Sequence, residues 1–236
     1  MRIRGDRTCR DCGARWSYYE TGSVTCPECG SIRSTGDGER TRHTDRSASL
    51  DLREPRSTAA EGDLETALDE AADACLDYVR KRGFVDEGSL RDLDEAYVHA
   101  QELRHAASLG VSRLELSDTE RAYLLDLLGA EAGDRPSANS VPETFRAARG
   151  LGVATAVRDY RDDIRQWLAA AEDRPAARSL LESVAEHGKR IRALDGQVDP
   201  GQTAQLLAAT RAVGTYCRTG AESDLEAARE TLAAIS

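Results

Sequence analysis

Long apolar runs are missing from this sequence. No segment approaches the ~18 consecutive apolar residues of a membrane-spanning helix. The first six residues, Met-Arg-Ile-Arg-Gly-Asp, do not form the apolar core of a signal peptide. Large apolar side chains are also scarce, since the 236 residues include only two phenylalanines and one methionine. We therefore expect a cytoplasmic protein with no membrane partner.

Lysine is nearly absent as well: all but two of the 32 basic residues are arginines, the exceptions being Lys81 and Lys189. The 42 acidic residues give a formal net charge of -10, and 36 positions are alanine. Such a composition is typical of proteins that stay soluble in concentrated salt, because carboxylates hold hydration water and the salt screens their repulsion. A GC-rich genome would also favour arginine and alanine, but the acidity favours the halophilic interpretation.

Four of the six cysteines form two Cys-x-x-Cys pairs separated by 13 residues. Each pair is followed by a glycine, which supplies the backbone freedom that a tight turn around a sulfur requires. Two such turns can surround one metal ion with four thiolates. We predict a zinc site formed by Cys9, Cys12, Cys26 and Cys29, with iron as the alternative metal because it accepts the same tetrahedral thiolate set.

The metal site predicts a small β zinc ribbon over residues 5–34. Residues 15–19 are predicted to form one strand and residues 24–25 the returning strand. A module of this size buries too little surface to fold alone, so the metal is expected to supply the missing folding energy. The thin apolar layer beside the metal is predicted to contain Trp16, Tyr18, Tyr19 and Val24.

Residues 35–62 are polar and lack helical period, which predicts a linker in which Leu50 and Leu52 contact a neighbouring element. From residue 63 to residue 236 the apolar period is close to 3.6, which predicts an all-α helical bundle of about seven helices. Capping boxes are predicted at Ser117 and Ser223, a helix start at Pro175, and a helix break at residues 150–152. Cys75 and Cys217 lie on apolar stripes and are predicted to be buried free thiols.

Other candidate sites in the helical region have less support, and we assign no catalytic or organic-cofactor-binding residues. Glu102 and His105 have the Glu-x-x-His spacing of di-iron bundles, but the sequence contains no second such motif. His43, His99 and His187 are expected to be solvent-exposed or to cap helices. The chain is therefore interpreted as a binding protein rather than an enzyme.

Charge separates the two ends of the chain. Residues 1–46 contain nine arginines and seven acidic residues, a balance of +2. The remainder contains 23 basic and 35 acidic residues, a balance of -12, which would repel phosphate. Nucleic acid is therefore an expected partner at the ribbon only, and a protein partner held by Tyr18 or Tyr19 fits the same facts. The oligomeric state is left open.

The stretch Cys9-Arg-Asp-Cys12-Gly-Ala-Arg-Trp16 with Cys26-Pro-Glu-Cys29-Gly resembles the zinc ribbon of archaeal transcription factor B. With its acidic tail, the whole chain resembles uncharacterised haloarchaeal proteins that carry this ribbon. The resemblance covers about 30 residues and implies a transcription-related role, because the ribbon of that factor docks on RNA polymerase. The chain departs from the factor in its short gap between cysteine pairs and in its acidic helical region.

The same cysteines are similar to those of rubredoxin, which binds iron and transfers electrons. Rubrerythrin-like proteins join such a site to a di-iron helical bundle. This resemblance implies the alternative function, a redox protein with iron bound to the four thiolates.

Overall fold

Five short strands make up the N-terminal part of the computed structural model, which describes residues 2–46, 48–113, 115–130, 134–170 and 174–235. The central strand β2 pairs antiparallel with β3 on one side and β4 on the other, with Thr8 opposite both Arg15 and Thr35. A separate antiparallel pair joins β1 to β5. We call residues 2–42 the N-terminal β module. Its strands are β1 (Arg2–Ile3), β2 (Asp6–Cys9), β3 (Arg15–Ser17), β4 (Ser34–Gly36) and β5 (Thr41–Arg42).

The third strand of the three-stranded sheet differs from the prediction. Residues 24–25 are not a strand; the chain instead forms the one-turn helix α1 (Tyr18–Thr21) after β3. The Ser17 side chain accepts a hydrogen bond from the N–H of Tyr19, and Gly22 ends the turn with φ 62°. Because this turn redirects the chain, β2 obtains its second partner from β4, which is more than twenty residues away in sequence.

The rest of the chain is mostly helical, as predicted. A short hairpin of β6 (Val85–Asp86) and β7 (Ser89–Leu90) lies between the helix that ends at Lys81 and the helix that begins at Glu95. Two 3₁₀ turns cover Ala138–Ser140 and Glu143–Phe145. Together with α1, the described residues form nine α-helices. The other eight are α2 (Arg53–Ala60), α3 (Leu64–Lys81), α4 (Glu95–Val111), α5 (Asp118–Gly129), α6 (Arg146–Leu168), α7 (Pro175–Ala193), α8 (Pro200–Thr219) and α9 (Glu222–Ala233).

These helices form a bundle around one apolar core. Helix α3 packs on α4, α4 packs on α6, and α6 packs on both α7 and α8, while α9 covers α8. Cys75 and Cys217 are fully buried free thiols in this core, as predicted. Across the described residues, no helix combines the length and apolarity that crossing a bilayer would require.

Helix ends follow the sequence signals in most places. The predicted capping box at Ser117 is confirmed, with hydrogen bonds in both directions between Ser117 and Glu120. The predicted box at Ser223 is wrong, because α9 begins at Glu222 and Ala221, not Ser223, is its N-cap. Helix α4 begins at Glu95, where the Asp94 side chain accepts a hydrogen bond from the Tyr97 N–H, and Leu90 before it belongs to the β6–β7 hairpin.

The predicted helix break at residues 150–152 is also wrong, since α6 runs through it without interruption. The glycines there permit close packing instead. A Cβ atom on Gly152 would lie 2.7 Å from the Glu102 Cα, so the backbones of α6 and α4 touch at this point. Gly150 lies in similar contact with the backbone of Gly196, in the turn that follows α7.

Residues 35–62 contain more structure than the term linker implies. They include most of β4, all of β5 and all of α2. Leu52 is buried in the core of the bundle and Leu50 packs against it, as predicted. Helix α2 lacked a clear apolar stripe because only Pro55 in it is buried. The division of the chain at residues 34 and 62 stays a prediction.

Candidate metal centre

The two Cys-x-x-Cys turns have the same backbone geometry. In each, the first cysteine donates its N–H to the carbonyl five residues later and accepts a bond from the glycine four residues later. The N···O distances are 2.8 and 3.2 Å for the Cys9 turn and 2.9 and 3.0 Å for the Cys26 turn. Gly13 and Gly30 have φ values of 77° and 72°, which favour glycine. The doubled sequence motif therefore produces a doubled structure.

The turns bring the four cysteine sulfurs together. All four Sγ atoms lie within 4.8 Å of one another, with 3.7 Å between those of Cys9 and Cys29 and 3.6 Å between those of Cys12 and Cys26. A tetrahedron with metal–sulfur distances of about 2.3 Å has edges of about 3.8 Å. A disulfide would need about 2.05 Å, and all four residues are free thiols. The predicted ligand set is thus assembled at a spacing that fits a tetrahedral metal ion.

One side of the cluster is buried and the other is exposed. Cys9 and Cys26 are each 2% exposed and pack against Trp16, whereas Cys12 and Cys29 face solvent. The Trp16 indole N–H donates to the Ser23 carbonyl over 3.0 Å, which fixes the ring beside the sulfurs. This small cluster is separate from the core of the helical bundle.

Backbone dipoles at the first turn favour a thiolate. The N–H groups of Cys12 and Asp11 lower the pKa of the Cys9 thiol to about 6. The N–H of Ala14 also favours the Cys12 thiolate, but the neighbouring Cys29 and Cys26 side chains outweigh it and raise the pKa of Cys12 to about 12. Four thiols this close cannot all ionise without a cation between them, which is the chemistry of a metal-thiolate site.

Strand β4 and the residue before it link the two turns, and no sequence pattern predicted this strand. The Arg10 N–H donates to the Arg33 carbonyl over 2.8 Å, and the Arg33 guanidinium forms a 2.8 Å ion pair with Asp11. The Arg7 guanidinium donates to the Ser34 Oγ over 2.9 Å. The first turn is therefore connected to the residues that follow the second turn.

Two apolar side chains of the β module are exposed. Ile32 is 77% exposed and Val24 is 45% exposed. Both flank Ser34, whose Oγ donates to the Val24 carbonyl over 2.8 Å and whose N–H donates to the Ile32 carbonyl over 3.1 Å. We call Val24, Ile32 and Arg33 the Ile32 surface. The placement of Val24 in a buried apolar layer was wrong, whereas Trp16 does lie in that layer.

Tyr19 is engaged within the molecule and is not a free anchor. Its ring lies 4.6 Å from the ring of His43, and its hydroxyl contacts the Thr41 hydroxyl. His43 was expected to be exposed but is 8% exposed, with Nδ1 3.3 Å from the Asp86 carboxylate. Burial lowers the pKa of His43, although Asp86 acts in the opposite direction. This cluster attaches the β module to the helical bundle.

A cleft of about 820 Å³ lies beside this attachment, between Tyr19 and Glu20 of the β module and the bundle. Four of its ionic side chains form two pairs: Arg82 contacts Asp45, and Arg91 contacts Asp86. Both arginines of the cleft are therefore already engaged with carboxylates.

The Glu-x-x-His pair of α4 does not form a metal site. Glu102 is fully buried and bonded to Arg149 over 2.6 Å, to Arg135 over 2.8 Å and to the Tyr123 hydroxyl. His105 does not join this group, and within the described ranges only the four cysteines bring three or more potential ligands together. His99, expected to be exposed or to cap a helix, is buried with its Nε2 2.9 Å from the Leu127 carbonyl. Glu102 and His99 are buried because other helices pack over them, which the helical period of α4 alone did not indicate.

The match to known proteins covers both parts of the molecule. The model of DUF7117, a family of unknown function, matches residues 1–232. The chain belongs to this family. The match includes the cysteine cluster together with the helical bundle, up to the last helix. Searches of curated proteins and of solved structures gave no match.

Proposed function

We propose that this DUF7117 protein is a non-enzymatic binding protein in which a zinc ribbon presents a surface to a protein partner. The role that the ribbon sequence suggests is transcription-related. The observation that carries the proposal is the 77% exposure of Ile32 directly after the second cysteine turn. Burial of one such side chain by a partner would contribute about 1.5–3 kcal/mol to binding.

Zinc is the metal we propose for Cys9, Cys12, Cys26 and Cys29. The sulfur spacing and the paired turns support a closed four-thiolate site, which is typical of structural zinc. When bound, the ion supplies folding energy to the module and holds its two loops in a fixed relation. The residues of the chain supply the ligands and the surface, and Ile32 follows the last ligand by three positions.

We therefore propose Ile32 as the anchor in place of Tyr18 or Tyr19, which the sequence favoured; Tyr18 is half-buried. Tyr19 contacts His43 and Thr41, so its ring is committed to the junction with the bundle. The side chains of Ile32 and Val24, in contrast, are exposed on the module. Arg33 follows Ile32 in sequence, and its side chain is 70% exposed while it pairs with Asp11 over 2.8 Å.

Nucleic acid has weaker support as the partner. Four thiolates with Zn²⁺ carry a charge of about -2, which offsets the balance of +2 in residues 1–46. The remaining residues have a balance of -12. Because binding to nucleic acid rests largely on phosphate neutralisation, a neutral module on an acidic body is poorly suited to it.

Electron transfer by iron is the second candidate, and one observation favours it. Cys12 and Cys29 are exposed, so their sulfurs are accessible to a redox partner. Metal content distinguishes the two functions. We expect purified protein to be colourless with one zinc per chain; stoichiometric iron with visible absorption that bleaches on reduction would replace our proposal with the redox function.

The partner surface is tested with purified RNA polymerase immobilised at high salt, where phosphate contacts weaken and apolar contacts persist. We expect wild-type protein to be retained and Ile32→Ser, alone or with Val24→Ser, to reduce retention at least about tenfold. Leu194→Ser is the matched control, because Leu194 is 47% exposed but lies at the end of α7 in the bundle.

Two outcomes would contradict the proposal. Unchanged retention of Ile32→Ser would exclude the Ile32 surface as the contact. Recovery of nucleic acid that Arg10→Ala with Arg15→Ala abolishes would show that the module binds phosphate instead of an apolar partner site.

A further inference from the structure

A groove of about 250 Å³ lies between α6 and α7, on the helical bundle and outside the β module. Its floor is formed by small apolar side chains: Ala154, Val157 and Val184 are buried beneath the surface, and the half-buried Ala185 of α7 is the accessible one. Four cations line it: Arg158, Arg161, Lys189 and Arg192, against the single carboxylate of Asp162.

This groove reverses the charge of its surroundings. Residues 146–195, which include α6 and α7, contain ten basic and eight acidic residues, a balance of +2. Residues 47–145 and 196–236 together contain 13 basic and 27 acidic residues, a balance of -14. The chain contains only two lysines, and one of them, Lys189, lines the groove. The cations are therefore concentrated on one hairpin of an acidic bundle.

The two outer cations are accessible to a partner. The Arg158 side chain is 52% exposed and pairs with Asp159, its neighbour in sequence, over 2.9 Å. The Lys189 side chain is 65% exposed and pairs with Glu186 over 2.8 Å. Such exposed pairs are weak, and each cation keeps further N–H donors that an incoming carboxylate can use.

The two inner cations are held in place by backbone carbonyls. The Arg161 Nε donates to the Leu181 carbonyl over 2.8 Å, which connects α6 to α7. The Arg192 Nη1 donates to the Ala154 carbonyl over 3.3 Å, in the opposite direction between the same helices. These contacts fix the guanidinium groups of both inner cations, and each group keeps further N–H donors.

We propose that this groove docks an acidic amphipathic segment of a partner protein. One apolar side chain of the segment lies over Ala185 and the aliphatic parts of the rim side chains, and its carboxylates contact Arg158 and Lys189 at the rim. The volume is below the about 300–1,000 Å³ of typical small-molecule pockets, so it suits side chains rather than a whole cofactor. An apolar floor contributes nothing to a phosphate backbone, which favours a peptide over nucleic acid. A helix lying between two antiparallel helices is a common mode of peptide recognition.

The probe is a fluorescein-labelled peptide of about 15 residues, with leucine at every third or fourth position and aspartate or glutamate elsewhere. Fluorescence anisotropy with the full chain is expected to show saturable binding. Arg158→Glu with Lys189→Glu should weaken it at least about tenfold. Arg53→Glu is the matched control, because its side chain is 87% exposed on α2 and pairs with Asp51; it should leave the affinity within about twofold.

Two further probes separate the alternatives, and neither requires a variant. A peptide of the same composition with its leucines scrambled should bind at least about tenfold more weakly. Equal binding of the scrambled peptide would show that charge alone acts and would overturn the proposal. Duplex DNA of similar length that binds more tightly than the amphipathic peptide would identify a phosphate site instead, and no saturable peptide binding would also refute the proposal.

Ala185→Glu tests the floor directly and keeps the rim cations in place. Ala185 is half-buried within α7, so a carboxylate there enters the apolar floor while the helix persists. We expect loss of peptide binding with unchanged helical circular dichroism. Unchanged binding by this folded variant would show that the peptide lies elsewhere.

Discussion

Two glycines inside helices predict opposite effects of the same substitution. Gly152 lies in α6 and Gly188 in α7, both away from the helix ends. A Cβ atom at Gly152 would lie 2.7 Å from the Glu102 Cα and 2.8 Å from the Glu102 N, both backbone atoms that cannot rotate away. At Gly188 the nearest atom is the Arg192 Nη1 at 3.5 Å, an ordinary contact with a flexible side chain.

Alanine improves helix propensity equally at the two sites. The difference between the two variants in the free energy of unfolding therefore measures the cost of the close contact between α6 and α4. The propensity gain is up to about 1 kcal/mol. At Gly188 nothing opposes it, and Gly188→Ala should raise the free energy of unfolding by about 0.5–1 kcal/mol. At Gly152, overpacking costs about 1–3 kcal/mol and the clash is with backbone, so Gly152→Ala should lower that free energy by about 1–2 kcal/mol.

Urea denaturation followed by helical circular dichroism measures both variants against wild type, with matched metal content. Unchanged slopes would show that the midpoint shifts report native-state stability. If Gly152→Ala were as stable as wild type, the backbones of α6 and α4 could not approach as described. If Gly188→Ala were the less stable variant, the contact argument would fail as a whole.

Three further predictions concern the metal site, the buried ion pairs and one histidine. Cys9→Ser should lose the metal and much of the ~10–16 kcal/mol that structural zinc contributes. Proteolysis should then occur within residues 5–34 while helical circular dichroism persists. Cys75→Ala should keep full metal content because Cys75 lies in α3. Glu102→Gln should lower the free energy of unfolding by about 3–5 kcal/mol, because it leaves Arg149 charged and only 4% exposed; Glu186→Gln, at a 71% exposed side chain, should change it by less than about 1 kcal/mol. Burial and the Arg104 charge lower the pKa of His105 from 6.5 to about 4. As pH decreases, the unfolded chain therefore protonates this histidine before the folded chain does. The free energy of unfolding should fall as pH decreases from 6.5 towards 4, and it should fall less steeply in His105→Gln than in wild type. Equal pH slopes in wild type and His105→Gln would contradict this assignment.

The cysteine ligand set was predictable because its signal is local. A Cys-x-x-Cys-Gly turn specifies its own geometry, and its two copies have nearly the same hydrogen bonds. The Ser117 box and the helix start at Pro175 are equally local and are confirmed. The exposure of Ile32 also had a signal, a single isoleucine among polar residues after Cys29, but sequence could not exclude that a neighbouring element covers it.

The strand partners of the cysteine module were not predictable. The pairing of Thr8 with Thr35 joins residues far apart in sequence, and a two- or three-residue strand is too short to show period 2. The same holds for Thr41 opposite Ile3, a pair that joins the two ends of the β module. Local composition does not indicate which of these residues pair.

Sequence by itself determined which four cysteines come together, the helical character of the long C-terminal part and its charge, because each depends on residue type or on periods within one element. Tertiary structure alone decided which polar residues are buried and which glycines are contacts. Glu102 and His99 lie on α4, where other helices cover them, and Gly152 is required because α4 passes against it. The cationic groove needs two helices to meet with their arginine and lysine faces adjacent. Such properties belong to pairs of elements, and no single stretch of sequence contains them.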